Sequence, residues 1–118
     1  MSFSNTFETR VLTWVFTNGT ATRPTAWYLG LYTAAPGEGG GGTEVSGGSY
    51  AREVLALTVS GNAATNGSAI EFTAATASWG TVTYVGIFDA STSGTLIAYS
   101  ALDTSKTVGI GDLDVTLD

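Results

Sequence analysis

From Trp27 to Tyr32 no polar or charged position interrupts the chain: Trp27, Leu29 and Leu31 fall on one side of an extended backbone, and Tyr28, Gly30 and Tyr32 on the other. Period two with two apolar faces predicts a strand buried on both sides, and therefore central in its sheet. Upstream the period changes. Phe7, Val11, Trp14 and Val15 recur at i, i+4, i+7 and i+8, the spacing of one helix face, which predicts a helix over 5–17. Asn5 stands three residues before Glu8 in a capping-box-like arrangement, and Asn18-Gly19 supplies a stop. Glu8, Thr9 and Thr13 fall away from the stripe, so Phe7, Val11, Trp14 and Val15 must lie on something apolar, either the protein's own sheet or a neighbouring subunit.

Pro24 breaks any continuation of that helix, and the run TAAPGEGGGG after the first strand gives up too much backbone entropy to be regular. The expectation is a long surface loop over 36–48. Further strands are expected at 51–59, 69–73, 81–89, 95–101 and 113–117, with a weaker one at 107–110. The alternation is cleanest at the end, where Leu113, Val115 and Leu117 interleave with Asp112, Asp114, Thr116 and Asp118, as in an antiparallel strand with one wet face. Gly61-Asn62, Asn66-Gly67 and the stretch from Asp89 to Gly94 read as turns, the last joining two strong strands as a hairpin. One short N-terminal helix followed by about seven short strands at this spacing predicts a mainly β fold, an antiparallel jelly-roll-like β-sandwich in a single domain over 1–118, with a closed barrel as second choice.

Composition narrows the function. At 118 residues folding removes roughly 65% of the unfolded chain's surface from water, enough for one core. Cysteine is absent, so neither disulfides nor thiolate metal sites are available. Histidine is absent too, which deprives most hydrolase and metalloenzyme schemes of a part. The 4 basic residues, Arg10, Arg23, Arg52 and Lys106, are scattered and outnumbered by 10 acidic ones, so the clustered positive charge of a nucleic-acid partner is missing. No apolar run approaches the ~20 residues of a bilayer span, and MSFSNTFETR lacks the basic-then-apolar order of a signal peptide. A chain this poor in charge is expected to cover much of its surface within an assembly.

Candidate chemistry is thin. GEGGGGTEVSGG lacks the Gly-Lys-Ser/Thr ending of a phosphate cradle, and Gly39, Gly40, Gly41 and Gly42 are better suited to fitting a neighbouring subunit. Asp112, Asp114 and Asp118 are hard oxygen donors, but alternating strand carboxylates do not converge on one ion and suit a solvated edge. Ser105 and Lys106 are adjacent, as in a turn, and not aimed at one point. Glu44, Glu53, Glu71 and Asp89 could pair only through the fold. No catalytic, metal or cofactor site is predicted. Among the aromatics, Trp79 in ASWGT is a candidate exposed anchor, with burial the alternative.

The succession of amphipathic helix, YLGLYTAAP, GGGGTEVSGGSYAR and FTAATASWGTVTYVGIFDASTSGTLIAYSAL resembles a family of short tailed-phage virion proteins. The likeness runs from Thr25 to Leu102, and its most specific part is TEVSGG-Y-R ahead of ASWGT-V-GIFD. Members are commonly labelled tail-fibre-like, while size and all-β character are also similar to jelly-roll capsid cement proteins. The resemblance carries over no catalytic residue. It implies a non-enzymatic structural protein of the virion that packs on major capsid protein or other virion proteins, with homo-oligomer contacts. Because no stalk or repeat is visible, a cement or decoration role on the outer capsid surface is the leading expectation, and a tail-fibre or receptor- or glycan-binding tip module the alternative. The contact surface expected is Phe7, Val11, Trp14 and Val15, the loop Gly39–Gly42, and Trp79.

Overall fold

A computed structural model of the protein describes residues 2–20, 23–61, 63–66, 70–72, 74–109 and 115–117. The chain is mainly antiparallel β with one short helix. In order it forms β1 (Ser2–Phe3), α1 (Asn5–Phe16), β2 (Tyr28–Ala34), β3 (Thr43–Glu44), β4 (Glu53–Val54), β5 (Leu57–Ser60), β6 (Ala63–Asn66), β7 (Ile70–Phe72), β8 (Gly80–Phe88), β9 (Leu96–Val108) and β10 (Val115–Leu117). Six strands make the main sheet, in the order β1-β9-β8-β2-β3 with β4 also on β2. The others pair as two ribbons, β5 with β6 and β7 with β10.

β2 is central as its two apolar faces require, with Leu29, Gly30, Leu31 and Tyr32 all buried. Leu29 and Leu31 join Ile87, Val82, Ala98 and Val108 in the main core, to which Phe72 of the β7 ribbon, Leu55, Val45 and Trp79 are added. Tyr32 belongs to a smaller cluster with Phe88 and Leu96. A register slip between Val82 and Tyr84 sends Val82 into the main core while Tyr84 packs on the smaller cluster, the re-aiming that an irregular ladder produces.

Several expected boundaries change. The helix starts at Asn5 as expected and ends at Phe16, but Ser4 and not Asn5 is the cap: its Oγ accepts from the Phe7 N–H and donates to Leu96 O, while its backbone N–H reaches Ile97 O. Long-range bonds decide between two residues of equal capping ability. The helix stops at Thr17, an extended C-cap whose Oγ1 accepts from the Gly19 N–H. The region 36–48 is not wholly irregular, since β3 pairs Glu44 with Tyr32 and Val45 is buried. The expected strand 51–59 is split into β4 and β5, and the expected strands at 95–101 and 107–110 are one strand through Val108. Ser105 and Lys106 lie inside that strand and not in a turn. The turn residues Asn62 and Gly67, and Asp112, Leu113, Asp114 and Asp118, lie outside the described residues.

Candidate functional site

The residues of TEVSGG-Y-R converge on one knot. β3 carries Glu44 to the edge of β2, beside Tyr32. Arg52 grips that carboxylate with both arms, Nε to Oε2 and Nη2 to Oε1, each at 2.8 Å, the bidentate geometry that lysine cannot reproduce. Its Nη1 donates to Ala90 O at 3.0 Å and Ser93 O at 2.8 Å, closing the loop between β8 and β9. The Tyr50 hydroxyl donates to Glu44 Oε2 at 2.7 Å and accepts the Leu31 N–H at 2.9 Å. That N–H lies on the β2 edge between its pairings with β3 and β4, where no strand residue takes it.

Burial alone would push the Glu44 carboxyl up, but the hydrogen bonds from Arg52 and Tyr50 outweigh it and hold the group below the usual glutamate range. The same carboxylate raises Arg52 further. Burial, then the bond to Glu44, pushes the Tyr50 phenol well above its ordinary value, so it stays protonated and acts as a donor. These are groups fixed in one state, and none is poised to move a proton near neutral pH.

ASWGT is equally structural. Trp79 is 4% exposed, with Nε1 donating to Gly48 O at 2.9 Å and its ring edge-on to Tyr50 and Phe72. The reading of Trp79 as an exposed anchor is therefore corrected: the neighbouring Gly80, at φ +83, turns the strand entry so that the indole enters the core. The other expected acidic residues stand on different elements. Asp89 accepts the Thr95 N–H at 2.7 Å and faces Arg10 at 3.9 Å, Glu53 pairs with Leu29, and Glu71 with Thr116. Among the described residues, no group of three or more Asp or Glu side chains is placed to hold a metal.

What remains on the surface is α1. No residue of the helix is buried, and only Phe7, Arg10 and Thr13 are half-shielded. Phe7 packs on the main core, and Arg10 Nη2 donates to Thr95 Oγ1 at 3.2 Å. The side turned to the body is thus i, i+3, i+6 from Phe7, about a quarter turn from the apolar stripe. Val11 is 39% exposed, Leu12 55%, Trp14 65%, Val15 51% and Phe16 77%. Of the expected stripe, the protein's own core takes Phe7 alone. Leu12 and Phe16 were not singled out from sequence, although both are apolar and one turn apart.

The glycine loop adjoins the start of this helix, through the Asn5 N–H to Glu38 O at 2.8 Å. Between them and the β8–β9 loop lies an open cavity of about 260 Å³, floored by Tyr32, Phe88 and Leu96. Gly39 and Gly40 are exposed, with open space where a Cβ would go. Gly42 has φ +78, and a Cβ there would come 2.6 Å from Ala34 O and Ala35 O, so it sets the turn into β3. Gly41 is exposed beside it.

A family model described as "Podophage GP4 fiber I protein gp80" matches residues 2–116. No curated protein matches the chain. The family match covers α1 and every residue of the Glu44, Tyr50 and Arg52 knot.

Proposed function

Because the chain belongs to the podophage GP4 fiber I protein gp80 family, a family of structural proteins of tailed-phage particles, we propose that it is a fibre module held in the virion by its outward-facing helix. The observation that carries this is the exposure of Val11, Leu12, Trp14, Val15 and Phe16 on one element. A contiguous apolar surface of this kind marks a protein contact. The β body supplies a rigid mount, since Ser4, Phe7 and Arg10 fix the first half of α1 to it. The loop Gly39–Gly41, beside the helix start, adds backbone that can conform to a neighbour.

A cement role on the outer capsid surface would use the same face and differs in address and number. Cement spans repeated joints of the shell and is present at the copy number of capsid subunits, whereas a fibre module is present in a small number of copies at the tail. Quantifying this chain against major capsid protein in purified particles, together with immunogold labelling, tests the proposal. Labelling at the tail with low stoichiometry is expected. Uniform labelling of the shell at near-capsid stoichiometry would replace the fibre reading with cement.

A further inference from the structure

The cavity between the start of α1, the glycine loop and the β8–β9 loop is not used by a contact through the outer face of the helix. Its base is apolar. Tyr32, Phe88 and Leu96 close over the backbone of Gly86, where a Cβ would come 2.8 Å from Leu96 Cδ1 and 3.0 Å from Tyr32 Cε1. One polar group belongs to that base, the Tyr32 phenol. Tyr32 is 5% exposed, and its hydroxyl makes no hydrogen bond to any described residue. Among the described residues no fully buried side-chain N or O atom lacks a partner, so the hydroxyl is the part of Tyr32 that reaches open space, and Tyr32 lines this cavity. Burial raises the phenol above its ordinary value, so it keeps its proton. A nearly buried hydroxyl without a protein partner is completed by what enters the space beside it.

The rim and its charge narrow the class of ligand. Glu38 brings a carboxylate, which only accepts, and the Thr95 hydroxyl already accepts from Arg10 Nη2 at 3.2 Å and so has its own proton to give. Thr6 adds a third hydroxyl. A ligand must therefore both donate and accept, as an alcohol does. No Lys or Arg is among the described residues lining the cavity, and Glu38 on the rim with Asp89 Oδ1, 2.6 Å from where a Gly94 Cβ would stand, repels an anion. An ammonium is disfavoured by Arg52, whose guanidinium already lies over Phe88. The volume of about 260 Å³ is below the roughly 300–1,000 Å³ of sites that enclose drug-sized ligands, so one ring fits and a longer chain would run out over Gly39 and Gly40. We propose that this cavity binds a single neutral sugar ring, with an apolar face on the base of Tyr32, Phe88 and Leu96 and hydroxyls at its edge meeting Tyr32, Glu38 and Thr95.

The test is made on the isolated full chain, so its outcome is independent of where the protein sits in the particle and of what covers the helix. Saturation-transfer and amide-shift nuclear magnetic resonance are run with methyl glucoside, methyl galactoside and N-acetylglucosamine, and with glucuronate and glucosamine as charged counterparts. At least one neutral ring is expected to bind with a Kd of about millimolar order, as a few contacts to one ring allow, and to shift the amides of Glu38, Gly40 and Thr95. Tyr32→Phe, which removes the hydroxyl alone, should weaken binding about fivefold, and Glu38→Gln about tenfold, because the bond to a carboxylate is the stronger. Glu38 is exposed, so Glu38→Gln should melt like wild type and decides the matter if Tyr32→Phe fails to fold. The proposal is overturned if no neutral ring binds, if the shifts fall elsewhere on the chain, or if Glu38→Gln binds as wild type does. Tighter binding of glucuronate or glucosamine than of every neutral ring would overturn it equally.

Discussion

Arg52 lies over the ring of Phe88, its central guanidinium carbon 3.4 Å from the ring centroid, and Phe88 in turn stacks on Tyr32 at 6.1 Å and 8°. With its fork on Glu44 and its remaining arm on Ala90 and Ser93, this one side chain joins β3, β2 and the β8–β9 loop. Removing it leaves the Glu44 carboxylate partly buried and without its cation. Arg52→Ala is expected to cost about 3 kcal/mol or more. Arg52→Lys should recover less than half, since an ammonium neither forks nor stacks as a plane. Urea unfolding checks both, with the midpoint falling at unchanged slope.

The same pair sets an acid limit. Glu44 has a folded pKa below its unfolded one, so the native state holds that proton more weakly. Its stabilisation is complete above the ordinary glutamate pKa and is lost as pH falls through the lowered folded value. Glu53, raised by burial, has the opposite sign and weakens the fold once ionised. Thermal melts between neutral pH and about pH 3 should show Glu44→Gln well below wild type at neutral pH, with the gap closing in acid. Glu53→Gln should melt at or above wild type at neutral pH.

Close approach predicts a glycine requirement at one cross-strand pair. Gly30 and Gly86 face each other between β2 and β8. A Cβ on Gly30 would come 2.8 Å from Glu44 Oε2 and 2.9 Å from Phe88 Cε1, and one on Gly86 would come 2.8 Å from Leu96 Cδ1. Gly30→Ala is expected to cost about 1–3 kcal/mol as overpacking, and to lower the Arg52→Ala penalty when the two are combined, because both act on Glu44 and Phe88. Gly39→Ala, which meets open space, should change the melting temperature little.

These residues mark where the sequence could be read and where it could not. The two-faced run from Trp27 to Tyr32, the helical spacing from Phe7 to Val15 and the turn signals from Asp89 to Gly94 are local patterns, and each became the element it predicted. Glu44, Tyr50 and Arg52 lie 6 and 8 residues apart in a stretch without period, so their meeting depends on β3 docking on β2. Glycine-rich composition argued against any strand there, but Leu31 O and Tyr32 offer an edge that pairs with Glu44 and Val45. Trp79 could be read as anchor or core, and the indole bond to Gly48 O, a contact across 31 residues, is what decides it. The helix stripe was read correctly as apolar. Which side would face the body was not legible, because Arg10 is drawn inward by Thr95 and Asp89 of the β8–β9 loop, far away in sequence.

That rotation gives the last prediction, a division of α1 into residues that serve the fold and residues that do not. Phe7 packs on the main core and touches Phe3 at 5.1 Å between ring centroids, so Phe7→Ala should cost about 3 kcal/mol and lower the melting temperature at every protein concentration. Leu12 is 55% exposed and has no place in either core cluster, so Leu12→Ala should leave the melting temperature of dilute protein within about 0.5 kcal/mol of wild type. Concentration separates the two further. If Leu12 is buried only between molecules, its effect must grow as the protein is concentrated, because assembly stabilises by mass action, whereas the Phe7 deficit stays constant. Scanning calorimetry across a hundredfold concentration range measures this. A Leu12→Ala loss as large as that of Phe7→Ala in dilute protein would mean that α1 packs on its own sheet along the stripe first read from the sequence, and that the outward face is not free.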